Sequence, residues 1–273
     1  MRPCLDPACI GFDTDLTTYL EAAAKGGFEL VEAPITWIAA MAAESGSAGV
    51  ARLLRQYAVI PVQFTCGLGT PGNIAVPADL FQHRLRALPG LAALGRAVGC
   101  QRASLFIDER RSEGVPTDTG LLAERIRRIG DVLAGAGLAF SLGLIGRERL
   151  AMVEDLWAAV DRADVDLLVD TISLAKAGLG REWIDALPPG RVGWFRVADA
   201  PAGVAGPELT YADRLLPGTG CLPLAAWYAA VRHNGYRGPV SVEVGDPALR
   251  DHPPGERARL AYTHTVRALT GPP

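Results

Sequence analysis

The chain has 273 residues, 49% of them hydrophobic. That suits one α/β barrel of about 250 residues or two small domains. Thirty acidic against 27 basic residues leave a net charge of -3, so bulk electrostatics favour neither nucleic acid nor an anionic membrane as a partner. No apolar stretch approaches the roughly 20 residues that cross a bilayer, and Met1-Arg-Pro-Cys-Leu-Asp-Pro7 lacks the apolar centre of a secretion signal. Five scattered cysteines without CxxC spacing (Cys4, Cys9, Cys66, Cys100, Cys221) read as buried free thiols of a cytoplasmic protein.

Short apolar runs alternate with helical patterns along the whole chain. The first strand is predicted at Ala8–Phe12, followed by a helix over Leu16–Lys25 that Asp15 caps and Gly26-Gly27 stops. Strands at Glu29–Glu32 and Val59–Phe64 flank a helix at Ala48–Tyr57. A helix over Leu80–Val98 leads to a strand at Ala103–Ile107. A helix over Gly120–Ala136, capped by Asp118 or Thr119, leads to a strand at Ala139–Leu144. Arg147–Arg162 reads as helix, Asp166–Val169 as strand, Arg181–Leu187 as helix and Gly193–Val197 as strand. Helix Leu222–Asn234, strand Val240–Val244 and helix Gly255–Leu269 end the series. Each strand is short and nearly all apolar, as strands covered on both faces are. Strand–helix alternation of this kind predicts a single (β/α)8 TIM barrel over residues 1–273. A doubly wound open sheet is the rival. It calls for a Gly-rich fingerprint after the first strand, which Gly11-Phe-Asp-Thr-Asp15 does not supply.

In a barrel the C-terminal strand tips converge on one cavity. Read in order they offer Asp13, Glu32, Gln63, Asp108 and Glu109, Gly143, Asp170, Arg196 and Asp199, and Glu243. Two carboxylates facing one cavity, Asp170 and Glu243 above all, suit an acid/base pair or oxygen ligation of a dication. A bland reading stands beside this one: a lone strand-end acid also serves as a helix cap. His83, His233 and His264 fall on helices and read as surface or packing residues. His252, in the loop after the last strand, is within reach of the mouth. Gly67-Leu-Gly-Thr-Pro-Gly72 lacks the Lys-Ser/Thr of a phosphate loop.

Five segments together carry a family likeness: Gly26-Gly-Phe-Glu-Leu-Val-Glu32, Leu168-Val-Asp170-Thr, Phe195-Arg-Val-Ala-Asp199-Ala-Pro, Leu216-Pro-Gly-Thr-Gly220 and Gly235-Tyr-Arg-Gly-Pro-Val-Ser-Val-Glu243-Val. In this order they resemble the xylose-isomerase-like barrel superfamily, which includes sugar-phosphate isomerases and epimerases, inosose-type isomerases and 3-dehydroshikimate dehydratases. The resemblance implies one divalent ion held by Glu, Asp, His or Gln, and Glu at strands five to eight. Asp170 and Glu243 match that set. Gly143 and Arg196 stand at the other two positions, and Ser173 where a His commonly follows the strand-six Asp.

Arginine stays protonated and cannot ligate a metal, so the resemblance with these departures implies no bound metal. The expected activity is a metal-independent isomerase, epimerase or dehydratase acting on a small sugar-like or secondary-metabolite carbonyl compound. Glu243 moves the proton, Asp170 is the second acid/base, and Arg196 stabilises the enolate. Glu32, Gln63, Asp108, Lys176, Asp199, Arg214 and His252 are candidates for holding substrate. One alternative keeps Mg or Mn, with Asp199, Glu32 or water completing the ligand set. Another is a non-catalytic barrel that binds a small molecule or a protein, for which Trp37, Trp194 and Trp227 are available surfaces. Barrels of this type often dimerise, so a homodimer is open to this chain.

Overall fold

The computed structural model describes residues 1–65, 73–108, 118–145, 153–162 and 164–271. Parallel strands close into a barrel in sequence order: β1 (Pro3–Leu5), β2 (Leu30–Ala33), β3 (Ile60–Thr65), β4 (Arg102–Asp108), β5 (Ala139–Ile145), β6 (Val165–Asp170), β7 (Val192–Val197) and β8 (Val240–Val242). The ring is sealed where Cys4 on β1 pairs with Leu30 on one side and Ser241 on the other. Helices cover the strands: α1 (Leu16–Gly26), α2 (Ile35–Tyr57), α3 (Ala78–Ala97), α4 (Thr119–Gly135), α5 (Val153–Val160), α6 (Thr171–Ala177), α7 (Arg181–Ala186), α8 (Leu224–His233) and α9 (Pro254–Thr270). No described helix is long and apolar enough to cross a membrane.

Local chemistry starts and stops the helices where it was legible. The Asp15 carboxylate accepts the Thr18 N–H at 2.7 Å, and Gly27 ends α1 in the left-handed region at φ 89°. Asp118 caps α4 by accepting the Leu121 N–H at 2.7 Å. Side chains from both sheet and helices form the main core, which includes Leu5, Phe64, Ile107, Phe140 and Phe195. Burial of this apolar surface is the main term that holds the barrel together.

Several expectations are corrected. The first strand lies at Pro3–Leu5, not at Ala8–Phe12, because Asp6-Pro7 starts a short 3-10 helix at Pro7–Cys9: Asp6 accepts the Ala8 N–H at 2.8 Å. Strand β8 ends at Val242, one residue before Glu243. Helix α2 begins at Ile35 instead of Ala48 and bends at Gly46. Helix α6 was not foreseen. Cys221 is exposed, while Cys4, Cys9 and Cys100 are buried; Cys66 lies outside the described residues. Trp194 and Trp227 are buried and present no surface.

The barrel interior is stacked in layers of period two along each strand. Cys4, Leu30, Phe106, Leu168 and Trp194 form an apolar floor. Two residues further along β1, β2, β6 and β7 come Asp6, Glu32, Asp170 and Arg196. On the eighth strand the same step runs from Ser241 to Glu243. On β5 the corresponding position is Gly143, where a Cβ would collide with the Phe106 ring. The chemistry-bearing layer therefore lies directly above a dry one.

At the opposite end of the strands, Arg102 donates to Ser141 at 2.7 Å and pairs with Asp166, which also accepts from Ser141. Any side chain at Gly193 would collide with the Asp166 carboxyl group. Gly193→Ala is therefore expected to destabilise the fold by about 1–3 kcal/mol through overpacking. Urea unfolding checks this, and an unchanged midpoint would mean that the carboxyl group yields freely.

Candidate active site

Arg196 is the hub of the layer above the floor. It is 4% exposed. One terminal nitrogen donates to both oxygens of Glu32 at 3.1 and 2.9 Å and lies 3.3 Å from Asp6 Oδ2. The other donates to Glu243 Oε2 at 2.9 Å. The guanidinium Cζ stands 5.5 Å from the Phe106 ring centroid. Glu32 is held further by the Gln63 amide at 2.8 Å, the Trp194 indole at 3.2 Å and the Ser241 hydroxyl. Burial works against the charge on Arg196, but Glu32, Glu243 and Asp6 outweigh it and hold its proton well above the usual range.

A second pair lies beside the first. Arg214 grips both oxygens of Asp170 at 2.9 and 3.1 Å and reaches Glu243 Oε2 at 3.4 Å. Asp170 also caps α6 by accepting the Ser173 N–H at 2.8 Å. Burial pushes the Asp170 carboxyl up, but the Arg214 fork prevails and holds it below its ordinary value. Arg214 is itself fixed through its backbone: its carbonyl accepts from Gly245 and Asp246 at 2.9 and 3.1 Å. Tyr211 lies over the guanidinium, 5.8 Å from centroid to Cζ. Burial and then the Glu243 charge hold the Tyr211 phenol above its ordinary value, so it keeps its proton.

Asp6 belongs to this cluster, and the misplaced first strand hid it from the sequence reading. The visible signal was a short apolar run, Pro3-Cys-Leu, ending in an acid. Burial, then Glu32 and Glu243, push its carboxyl well above the usual carboxylate range, and Arg196 offsets this only in part. Asp6 therefore takes up a proton more readily than a free carboxylate, which eases the excess of negative charge among four acids and two guanidinium groups.

The other sequence candidates lie in different surroundings. Asp199 accepts four backbone N–H groups, from Ala200, Gly218, Gly220 and Leu222, each at 2.9 Å. It pins the Pro-Gly-Thr-Gly turn, so it is a structural anchor and no free substrate contact. Lys176 sits on the last turn of α6, where its charge acts on Asp213. His252 is exposed at the end of the Pro247–Asp251 turn, and among the described residues its side chain joins no bond of the cluster. Asp13, at the end of the misplaced strand, is likewise exposed. The Asp108 side chain and Glu109 lie outside the described residues.

The donor set does not fit the four-ligand dication that the family likeness implies. Strand β5 offers Gly143, whose Cβ position is closed by Phe106, and β7 offers a guanidinium with no lone pair to give. Among the described residues no group of three or more His, Cys, Asp or Glu is arranged to hold a metal ion.

Comparison with known proteins agrees with this architecture. The model of the xylose isomerase-like TIM barrel family matches residues 20–264. A 3-dehydroshikimate dehydratase of Pseudomonas aeruginosa is 32% identical over 147 residues, which is 50% of this chain and only 22% of that protein. A xylose isomerase domain protein from Alicyclobacillus acidocaldarius superposes with a TM-score of 0.84 at 28% identity, covering 99% of this chain and 98% of that one. The zinc-bound IOLI protein gives a TM-score of 0.84 at 17% identity, covering 99% and 98%. D-psicose 3-epimerase gives 0.74 at 17%, covering both chains fully. These last two likenesses concern the fold alone.

Two outcomes follow from the charge cluster. Arg196→Met leaves Glu32, Glu243 and Asp6 facing one another without their cation, and should cost about 3–5 kcal/mol in urea unfolding. A smaller loss than Gly193→Ala would show that the acids do not depend on it. Asp6→Asn should stabilise the protein at neutral pH. The folded Asp6 pKa is raised, so ionisation in the unfolded chain draws stability away as pH rises above about 4, and the amide removes that loss. The advantage should vanish below that pH, where the acid is protonated in both states. Unfolding followed from pH 3 to 8 checks the sign, and a variant less stable throughout would contradict it.

Proposed function

The chain belongs to the xylose isomerase-like TIM barrel family, and from that premise we propose that it is an isomerase, epimerase or dehydratase that transfers a proton α to a carbonyl without a bound metal. The observation that carries this reading is the state of Glu243. It is 8% exposed, the most open of the four acids. Its Oε2 is held by Arg196 and lies near Arg214, while Oε1 takes no hydrogen bond among the described residues. That oxygen is left for a substrate proton.

Arg214 is the better electrophile of the two arginines. Its side chain is 11% exposed against 5% for Arg196. Its fixed charge beside Glu243 would stabilise an enolate oxygen as it forms, without reorganisation. Arg196 holds Glu243 and Glu32 from below. Asp170, with both oxygens engaged, positions Arg214 in this reading in place of serving as the second acid/base. Glu243, once protonated, gives the proton back on the product side, while Tyr211, still protonated and over Arg214, is a hydrogen-bond donor for the substrate. A Mg- or Mn-dependent reaction would need Asp170 and Glu243 released from their arginines, and Asp199 recruited away from four N–H groups. The dehydratase relative makes a cyclic hydroxyketone the first substrate class to try, with ketoses as the second.

The test is exchange in D2O with chelator present, followed by proton NMR on 3-dehydroshikimate and a panel of ketoses. Loss of the signal α to the carbonyl is expected for the wild type. Glu243→Gln should reduce the rate by about 10²–10⁴-fold with the fold intact. Full exchange in that variant would remove Glu243 from the chemistry. Stoichiometric metal in protein purified without chelator, lost on Asp170→Ala, would overturn the metal-free reading.

A further inference from the structure

A hollow of about 290 Å³ opens on the outer wall between α5 and α7, well away from the barrel mouth. Leu167 forms its floor, three residues before Asp170 on β6, which is about 10 Å along the strand. Trp157 on α5 and Trp183 on α7 wall it, with Leu187 and Pro188 beside them. Arg191, immediately before β7, completes the lining, and Glu154 stands exposed at the rim.

One cation in this hollow lacks an acceptor among the described residues. Among the described residues the Arg191 side chain makes no hydrogen bond or ion pair. Its charge reaches Asp166, but that carboxylate is already bonded to Arg102 and Ser141. The guanidinium is steered by the Trp157 ring, 5.8 Å from centroid to Cζ. A concave, mostly apolar wall with a few convergent polar groups is the usual form of a small-molecule site.

We infer that this hollow is a second ligand site, separate from the barrel mouth, that takes a planar aromatic monocarboxylate. The flat body lies against the Trp183 indole, and the carboxylate accepts from Arg191. The volume admits one or two fused rings. Glu154 at the rim disfavours a second negative charge on the ligand, which is why the class is a monoanion. A cation is disfavoured because Arg191 already occupies the Trp157 face.

Titration of the whole chain with 2-naphthoate, read by calorimetry and by indole fluorescence, tests this. Saturable one-to-one binding is expected, with the neutral 2-naphthamide at least about tenfold weaker. Arg191→Met and Trp183→Ala should each weaken 2-naphthoate about tenfold or more, while Glu243→Gln leaves it unchanged. Thermal unfolding of the two hollow variants separates lost binding from lost folding. Binding abolished by Glu243→Gln, or no saturation by about 1 mM, would overturn the assignment. So would a self-association seen in sedimentation that Trp183→Ala disrupts while 2-naphthoate fails to bind, since the hollow would then receive a second copy of the chain.

Discussion

The mouth of this barrel depends on one buried cation. Arg196 draws Glu32, Glu243 and Asp6 to a single point, and each of those acids comes from a different strand or strand end. Three carboxyl groups buried this closely repel one another and lose their hydration, so the layer can exist only around a positive charge. A guanidinium meets that demand with a planar fork that engages two acids at once. The geometry of the neighbouring pair follows, because Glu243 is shared with Arg214, and Arg214 in turn sets Asp170.

The scaffold that holds these side chains is of ordinary make. Inward positions at period two stack an apolar floor of Cys4, Leu30, Phe106, Leu168 and Trp194 beneath the charges. The floor keeps water from the lower side and strengthens the electrostatics above it. The long connection after β7 is clamped from both ends. Asp199 gathers four N–H groups of its own strand end and the Pro-Gly-Thr-Gly turn, and the residues after β8 bond the Arg214 carbonyl.

Much of this was legible in the chain. Alternating apolar runs and capped helices led to the closed parallel barrel, and the acids at Asp170 and Glu243 and the arginine at position 196 stood out as strand-tip residues. Asp6 was missed because the run Ala8–Phe12 is the longer apolar stretch, while the Asp-Pro step that turns it into a helical turn acts through a cap. Asp199 looked like a free acid at a strand end. Its four N–H partners lie one and 19 to 23 residues away, a separation that no local pattern reveals. Gly143 looked like a lost ligand, and the ring that closes its Cβ position comes from the preceding strand.

The chain alone determined the alternation of strands and helices and most of the residue types at the strand tips, since periodicity and capping are local and are written in neighbouring residues. Which acid meets which arginine was decided only on closure of the ring. Arg196 and Glu32 are 164 residues apart, and Ser241 and Glu32 are 209 apart. Such contacts arise from strand register and from the energetic need to compensate buried charge, and both are properties of the assembled barrel.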